Sequence, residues 1–259
     1  MPRWDRRMDD RRFRAVALDL FGTLVRWSPH RLPEMEIGGR RIHTTIPWLV
    51  PALERDLGET FHLDGFIEAY GEVIRGIEVE RSSHGVEVTC HERFRRTLER
   101  LGARPQTIND LAEELTRTHM AGVRSVTRAP AEFAAVVPQL AHRYRMALLS
   151  NFDDARTGRE IVADTGVAEH FEVLVISAEV EVRKPNPVIF AHLLERLRLS
   201  ADEVLFVGDT AHEDVAGARG AGVPVVWLSE NKGEFPPDVA APDFTIRNLT
   251  ELPRLLGLE

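Results

Sequence analysis

The sequence has a single cysteine among 259 residues. Cys90 therefore has no internal disulfide partner, a Cys-rich metal site is excluded, and the chain must hold together on its apolar core, as suits a reducing compartment. With no polar strand end or Gly-rich turn presenting it, Cys90 reads as a partly buried helix residue. Lysine is nearly as scarce: of 33 basic residues only Lys184 and Lys232 are lysines, which leaves two candidates for any chemistry that needs a side-chain amine. No run approaches the ~18 apolar residues of a membrane span, and the charged opening MPRWDRRMDDRRFR has no apolar stretch of signal-peptide length. A cytoplasmic protein is expected. A long basic run is missing too. The net charge is −8, and the densest basic patch, at Arg7, Arg11 and Arg12, is diluted by acidic neighbours, so nucleic acid is excluded as a partner.

What is present is an alternation of short apolar runs with amphipathic stretches. Ala15-Val16-Ala17-Leu18 is an apolar run of buried-strand length that ends at Asp19 before the turn Phe21-Gly22-Thr23. Two later runs repeat the pattern, Arg145–Leu149 closing on Ser150-Asn151 and Val204–Gly208 closing on Asp209-Thr210. From 129 onward single helices separate the strands (131–142, 154–166, 187–197, 212–220 between strands near 145, 173, 204, 223 and 243), which implies a parallel sheet with right-handed crossovers. All three strand ends then share the carboxyl rim, where open α/β sheets bind ligands.

Between the first strand and this region the pattern changes. Residues 46–57, 63–80, 91–101 and 108–120 show apolar positions at helical spacing, with Asp64, Thr89 and Thr107 or Asn109 at their starts. Met35–His43 reads as a hairpin around Gly38-Gly39, reaching either the rim or a partner chain. The expected organisation is a tail at 1–13, an α/β core at 14–27 and 126–259, and a helical domain inserted at 28–125.

The motifs DLFGTL, LLSN, RKPNP and GDTAHED, in that order, resemble those of the haloacid dehalogenase-like hydrolase superfamily. The resemblance implies a Rossmann-like parallel sheet and makes the insertion similar to the helical cap that such hydrolases carry, where specificity would reside. It also implies a set of roles. Asp19 would be the nucleophile, forming an aspartyl intermediate. Thr23 and Ser150 would bond phosphoryl oxygens or the nucleophile, and Lys184 would neutralise the charge shared by nucleophile and substrate. Three rim carboxylates repel unless a cation sits among them, so Asp19, Asp209 and Asp214, with the main-chain carbonyl of Phe21, are the expected Mg²⁺ ligands. The Phe21-Gly22-Thr23 amides and Asn151 are expected donors to substrate.

Phe21 is where the sequence departs from the pattern. Family phosphatases carry a second Asp there, which protonates the leaving oxygen and then activates water; a phenyl ring does neither. Three readings stay open: a Mg²⁺-dependent phosphohydrolase acting on a small phosphorylated molecule; a 2-haloacid dehalogenase, which tolerates an aromatic residue at this place but has a Ser-Asn pair where this chain has Gly208-Asp209; and a silent phosphometabolite-binding protein. A Schiff-base phosphonate hydrolase is excluded, since no lysine precedes residue 184. His212, two residues before Asp214, is the one histidine placed near the rim as a substitute acid; His84 and His91 flank Cys90 too loosely for a metal site. Monomer and homodimer are both compatible with the sequence.

Overall fold

The computed structural model describes residues 13–230 and 233–258. In chain order the strands are β1 (Ala15–Leu18), β2 (Arg26–Trp27), β3 (Glu34–Ile37), β4 (Arg40–His43), β5 (Thr127–Arg128), β6 (Arg145–Ser150), β7 (Phe171–Ile176), β8 (Val204–Gly208), β9 (Val225–Leu228) and β10 (Phe244–Ile246). Six of them form one sheet in the order β10-β9-β8-β1-β6-β7. Every pairing in it is parallel, as the alternation of strands and helices predicts. β1 is central because it is apolar on both faces: Val16 and Leu18 pack into one layer, Ala15 and Ala17 into the other.

The helices are α1 (Ile46–Leu57), α2 (Leu63–His84), α3 (Cys90–Arg100), α4 (Ile108–Ser125), α5 (Ala131–Ala134), α6 (Val136–Ala141), α7 (Ala155–Asp164), α8 (Ser177–Val180), α9 (Pro187–Leu197), α10 (Ala216–Gly220) and α11 (Leu252–Leu255). One face of the sheet is covered by Val136, Leu140, Ile161 and Leu252 from α6, α7 and α11. The other is covered by Ile189, Phe190, Leu193 and Ala218 from α9 and α10. Of the expected tail, residues 1–12 lie outside the described residues, and Phe13 is buried in the first of these layers.

Helices α1 to α4 pack round a core of their own that includes Leu49, Leu53, Phe66, Phe94, Leu98 and Leu115. Thr89 caps α3, its hydroxyl accepting from the Glu92 amide. Asp64 does not cap α2: the helix starts at Leu63, so the carboxylate lies within the first turn, where it complements the helix dipole. α2 also runs past Glu80 to His84 and stops at Gly85, whose φ of 63° supplies the left-handed terminus. The helix expected over 131–142 is broken into α5 and α6, and that expected over 212–220 begins as a wide turn, Ala211–Val215, before α10. β3 and β4 form the expected hairpin.

Two-residue strands carry no periodicity, so the pairing of β2 with β5 had no sequence signal. It zips together the chain segments entering and leaving the helical insertion, with Arg26 opposite Arg128 and Trp27 opposite Thr127. Further bonds seat the insertion on the sheet region: the Cys90 amide donates to Asp153 O (2.8 Å) and the Arg183 amide to Gly85 O (3.0 Å). Buried Glu87 accepts from the Ser177 hydroxyl at 2.6 Å and from Arg81 at 2.8 Å. Among the described residues no helix is long and apolar enough to cross a membrane.

Candidate active site

Because β1 lies between β6 and β8, the residues that follow these three strands are brought together at one rim. Asp19 continues β1 by donating its amide to Val207 O (2.8 Å). Asp209 follows β8, and the wide turn after it returns Asp214 to the strand end, where its carboxylate accepts from the Thr210 amide at 2.8 Å. The result is a cluster in which one oxygen from each of Asp19, Asp209 and Asp214 lies within 4.8 Å of the others. All three carboxylates are buried.

Two glycines make room for it. Gly22 has a φ of 86°, and a Cβ there would fall 2.3 Å from Asp209 Oδ2. A Cβ on Gly208 would fall 2.4 Å from Asp214 Cγ. Any side chain at either position would displace a carboxylate.

Lys184 is 2 % exposed and spends all three ammonium hydrogens inside the cluster, on Asp19 Oδ1 (2.6 Å), Asp214 Oδ1 (2.7 Å) and Leu149 O (3.1 Å). Burial opposes its charge, yet Asp19 and Asp214 hold its pKa above the ordinary lysine range. The one ammonium is shared by Asp19 and Asp214. Burial pushes the Asp19 carboxyl well above the usual carboxylate range, against the pull of Lys184 and with help from Asp214 and Asp209. A divalent cation fits this donor set: three clustered carboxylates offering hard oxygen ligands, and a space kept open by two glycines.

The two hydroxyls expected at the site, those of Thr23 and Ser150, are both buried. Thr23 Oγ1 and Ser150 Oγ are buried without a hydrogen-bond partner, a state that costs about 1–3 kcal/mol unless something is received there. Asn151 makes a further set of bonds. Its side-chain amide donates to Lys184 O (3.0 Å) and its carbonyl accepts from the Lys184 amide (2.7 Å), so it fixes the lysine-bearing loop. The Gly22 amide is likewise spent, on Val25 O at 2.9 Å. His212 points away from the cluster; its side chain is 63 % exposed and lies 3.8 Å from Asp238. Lys232 lies outside the described residues.

Phe21 stacks on Phe152 with ring centroids 4.9 Å apart. The pair opens into a cavity of about 640 Å³ that also has Gly22, Asn151 and, from the insertion, Leu32, His43, Thr45 and His119 on its walls. These insertion residues carried no motif in the linear sequence. The hairpin's Gly38-Gly39 end shows nothing of the site, but its base, at His43, reaches the cavity. A larger cavity of about 760 Å³ lies between α4 and α7, away from the acidic cluster and crossed by the Arg124 ion pairs to Glu160 and Asp164.

Comparison with known proteins agrees with this architecture. A family model described as haloacid dehalogenase-like hydrolase matches residues 13–222. Phosphoserine phosphatase from Thermus thermophilus is 33 % identical over 160 residues, 61 % of this chain and 61 % of that protein. The pyrimidine 5'-nucleotidase YjjG of Escherichia coli is 43 % identical over 93 residues, 36 % of this chain and 41 % of that protein. The chain thus spans about half the length of the curated relatives it matches. Among solved structures, a 2-haloacid dehalogenase from Pseudomonas syringae superposes with a TM-score of 0.68 over 95 % of this chain and 99 % of that one at 21 % identity, which shows the shared fold.

Proposed function

This chain belongs to the haloacid dehalogenase-like hydrolase family, and we propose that within it the protein is a Mg²⁺-dependent phosphohydrolase acting on a small phosphorylated molecule. The observation that carries this is the third carboxylate. Asp209 and the space left by Gly208 and Gly22 complete a cation-binding set, whereas departure of a halide needs neither.

Asp19, Asp209, Asp214 and the main-chain carbonyl of Phe21 would hold the ion, which when bound supplies positive charge to the phosphoryl oxygens and lowers the cost of ionising Asp19. The chain's own residues do the rest. The Asp19 carboxylate attacks phosphorus, forming an aspartyl phosphate as the leaving oxygen departs. Lys184, already bonded to Asp19 at 2.6 Å, keeps the nucleophile ionised and oriented. Thr23 and Ser150 donate their unpaired hydroxyls to phosphoryl oxygens, bonds aimed where charge builds up. Residues 28–125 act as the cap: with the Phe21–Phe152 pair they enclose the leaving group and exclude water.

The test is phosphate release from an aryl phosphate and from acetyl phosphate, with Mg²⁺ and with chelator, by the native chain and by Phe21→Asp, alongside chloride release from 2-chloropropionate. Metal-dependent phosphate release is expected, raised on the aryl substrate by Phe21→Asp. Chloride release indifferent to chelator would replace this reading by dehalogenation, and inactivity of both proteins on every substrate would replace it by a binding role.

A further inference from the structure

We propose that His43 protonates the leaving oxygen, the task for which position 21 offers no carboxyl. The proposal rests on the phosphohydrolase reading above. An alkoxide expelled from phosphorus is a strong base, and a positioned acid contributes about 10²–10⁴-fold to such a step. The acid must line the cavity that holds the leaving group and must carry a proton it can release near neutral pH.

Five titratable side chains line that cavity: Arg26, His43, Arg93, His119 and Asp153. The two guanidinium groups do not give up protons in proteins. Arg26 is bound to Gly22 O (2.5 Å) and Glu230 (3.0 Å), and Arg93 to Asp153 (2.5 Å). Asp153 is engaged in ion pairs with Arg93 and, at 3.8 Å, with Arg81. His119 is buried against Thr45 Oγ1 (2.6 Å), and burial, reinforced by Arg93, pushes its pKa down to about 4, so it carries no spare proton. His43 is left.

Its setting defines which atom would act. His43 Nδ1 lies 2.9 Å from Leu32 O. A carbonyl only accepts, so Nδ1 carries the hydrogen, the ring is held by the main chain, and Nε2 is the atom that gains and loses a proton. The ring sits on β4, an edge of the hairpin, where Glu34 is its register partner on β3 and Arg41 pairs with Glu34 at 3.2 Å. The short turn Pro29–Arg31 below it brings His30 and Arg31. With Arg26, Arg93, His119 and Asp153 across the cavity, these are the charged and titratable groups around it.

The step balances as follows. An oxygen of Asp19 bonds to phosphorus; the bond from phosphorus to the leaving oxygen breaks, its electron pair going to that oxygen; the oxygen takes the proton from Nε2 of the His43 imidazolium. The neutral imidazole then takes a proton from the water that attacks the aspartyl phosphate, which frees phosphate, restores the Asp19 carboxylate and recharges His43.

The experiment measures kcat/KM, which reports events up to departure of the leaving group, for native protein and His43→Gln with Mg²⁺ on three substrates: phenyl phosphate, 4-nitrophenyl phosphate and acetyl phosphate. The loss expected in the variant is about 10²-fold or more on phenyl phosphate, smaller on 4-nitrophenyl phosphate and absent on acetyl phosphate, whose leaving group needs no proton. His43→Ala should regain phenyl phosphate turnover on addition of free imidazole. Equal losses on all three substrates, or none, overturn the role of His43 and leave the phosphohydrolase reading standing. Native protein that releases no phosphate from any of them overturns both.

Discussion

Lys184 Nζ stands 2.6 Å from Asp19 Oδ1, both side chains buried, with the same ammonium bonded to Asp214 at 2.7 Å. Two acids therefore depend on one cation. Removing one partner of a buried pair leaves an uncompensated charge and costs about 3–5 kcal/mol. Lys184→Met is expected to abolish turnover and to lower unfolding free energy by about that amount, read by urea denaturation in chelator.

Asp19→Asn should separate function from stability. Burial, with Asp214 and Asp209, disfavours the ionised form of Asp19 against the pull of Lys184. The amide keeps the shape and removes a repelling charge. Turnover should be lost while the metal-free protein gains on the order of 1 kcal/mol, and an Asn variant less stable than native would show that Lys184 outweighs the repulsion.

The glycine cradle is testable by metal binding alone. Gly22→Ala places a methyl group 2.3 Å from Asp209 Oδ2 on a backbone with φ of 86°, and Gly208→Ala places one 2.4 Å from Asp214 Cγ. Each should weaken Mg²⁺ binding by at least 10-fold in calorimetry, about 1.4 kcal/mol, whereas Gly39→Ala, where a Cβ meets nothing within 4 Å, should bind as the native chain does.

His119 should make stability depend on acid. Its folded pKa is pushed down to about 4, below the ordinary value of 6.5, by burial and by Arg93. Between those limits the unfolded chain binds a proton that the folded one refuses, so this residue's share of stability is intact above pH 6.5 and is lost as the pH falls towards 4. Urea midpoints followed from pH 7 to pH 4.5 should drop more steeply for the native protein than for His119→Gln.

Cys90 should be silent to thiol reagents. It is fully buried, and burial pushes the thiol up to about 12, with Arg93 opposing. Alkylation by iodoacetamide at pH 8 should proceed only as fast as the protein opens, and prompt modification of folded protein would contradict the packing around α3.

Much of this was legible in the chain. The apolar runs at 15–18, 145–150 and 204–208 marked three parallel strands, because a strand buried on both faces must be apolar throughout. The acids and the lysine were legible through the resemblance of DLFGTL, RKPNP and GDTAHED to family motifs, and the fold gathers them at one rim. What the chain did not show of Asn151 is that its side chain pins the Lys184 main chain, a contact between loops that leaves no local pattern. His212 misled because its proximity in sequence to Asp214 says nothing of direction round a turn.

By itself, then, the sequence determined the sheet, the acidic set and the absence of a carboxyl at position 21, all of them consequences of local pattern. Only the tertiary structure decided which side chains share a cavity with Phe21. His43 lies 22 positions from Phe21 in the chain, on a hairpin outside the sheet, and lines the same cavity as Phe21 and Gly22 with β2 paired to β5 and the insertion seated by Glu87 and Asp153. A contact made by packing between elements leaves no period and no spacing in the chain, so it is readable only once the elements are in place.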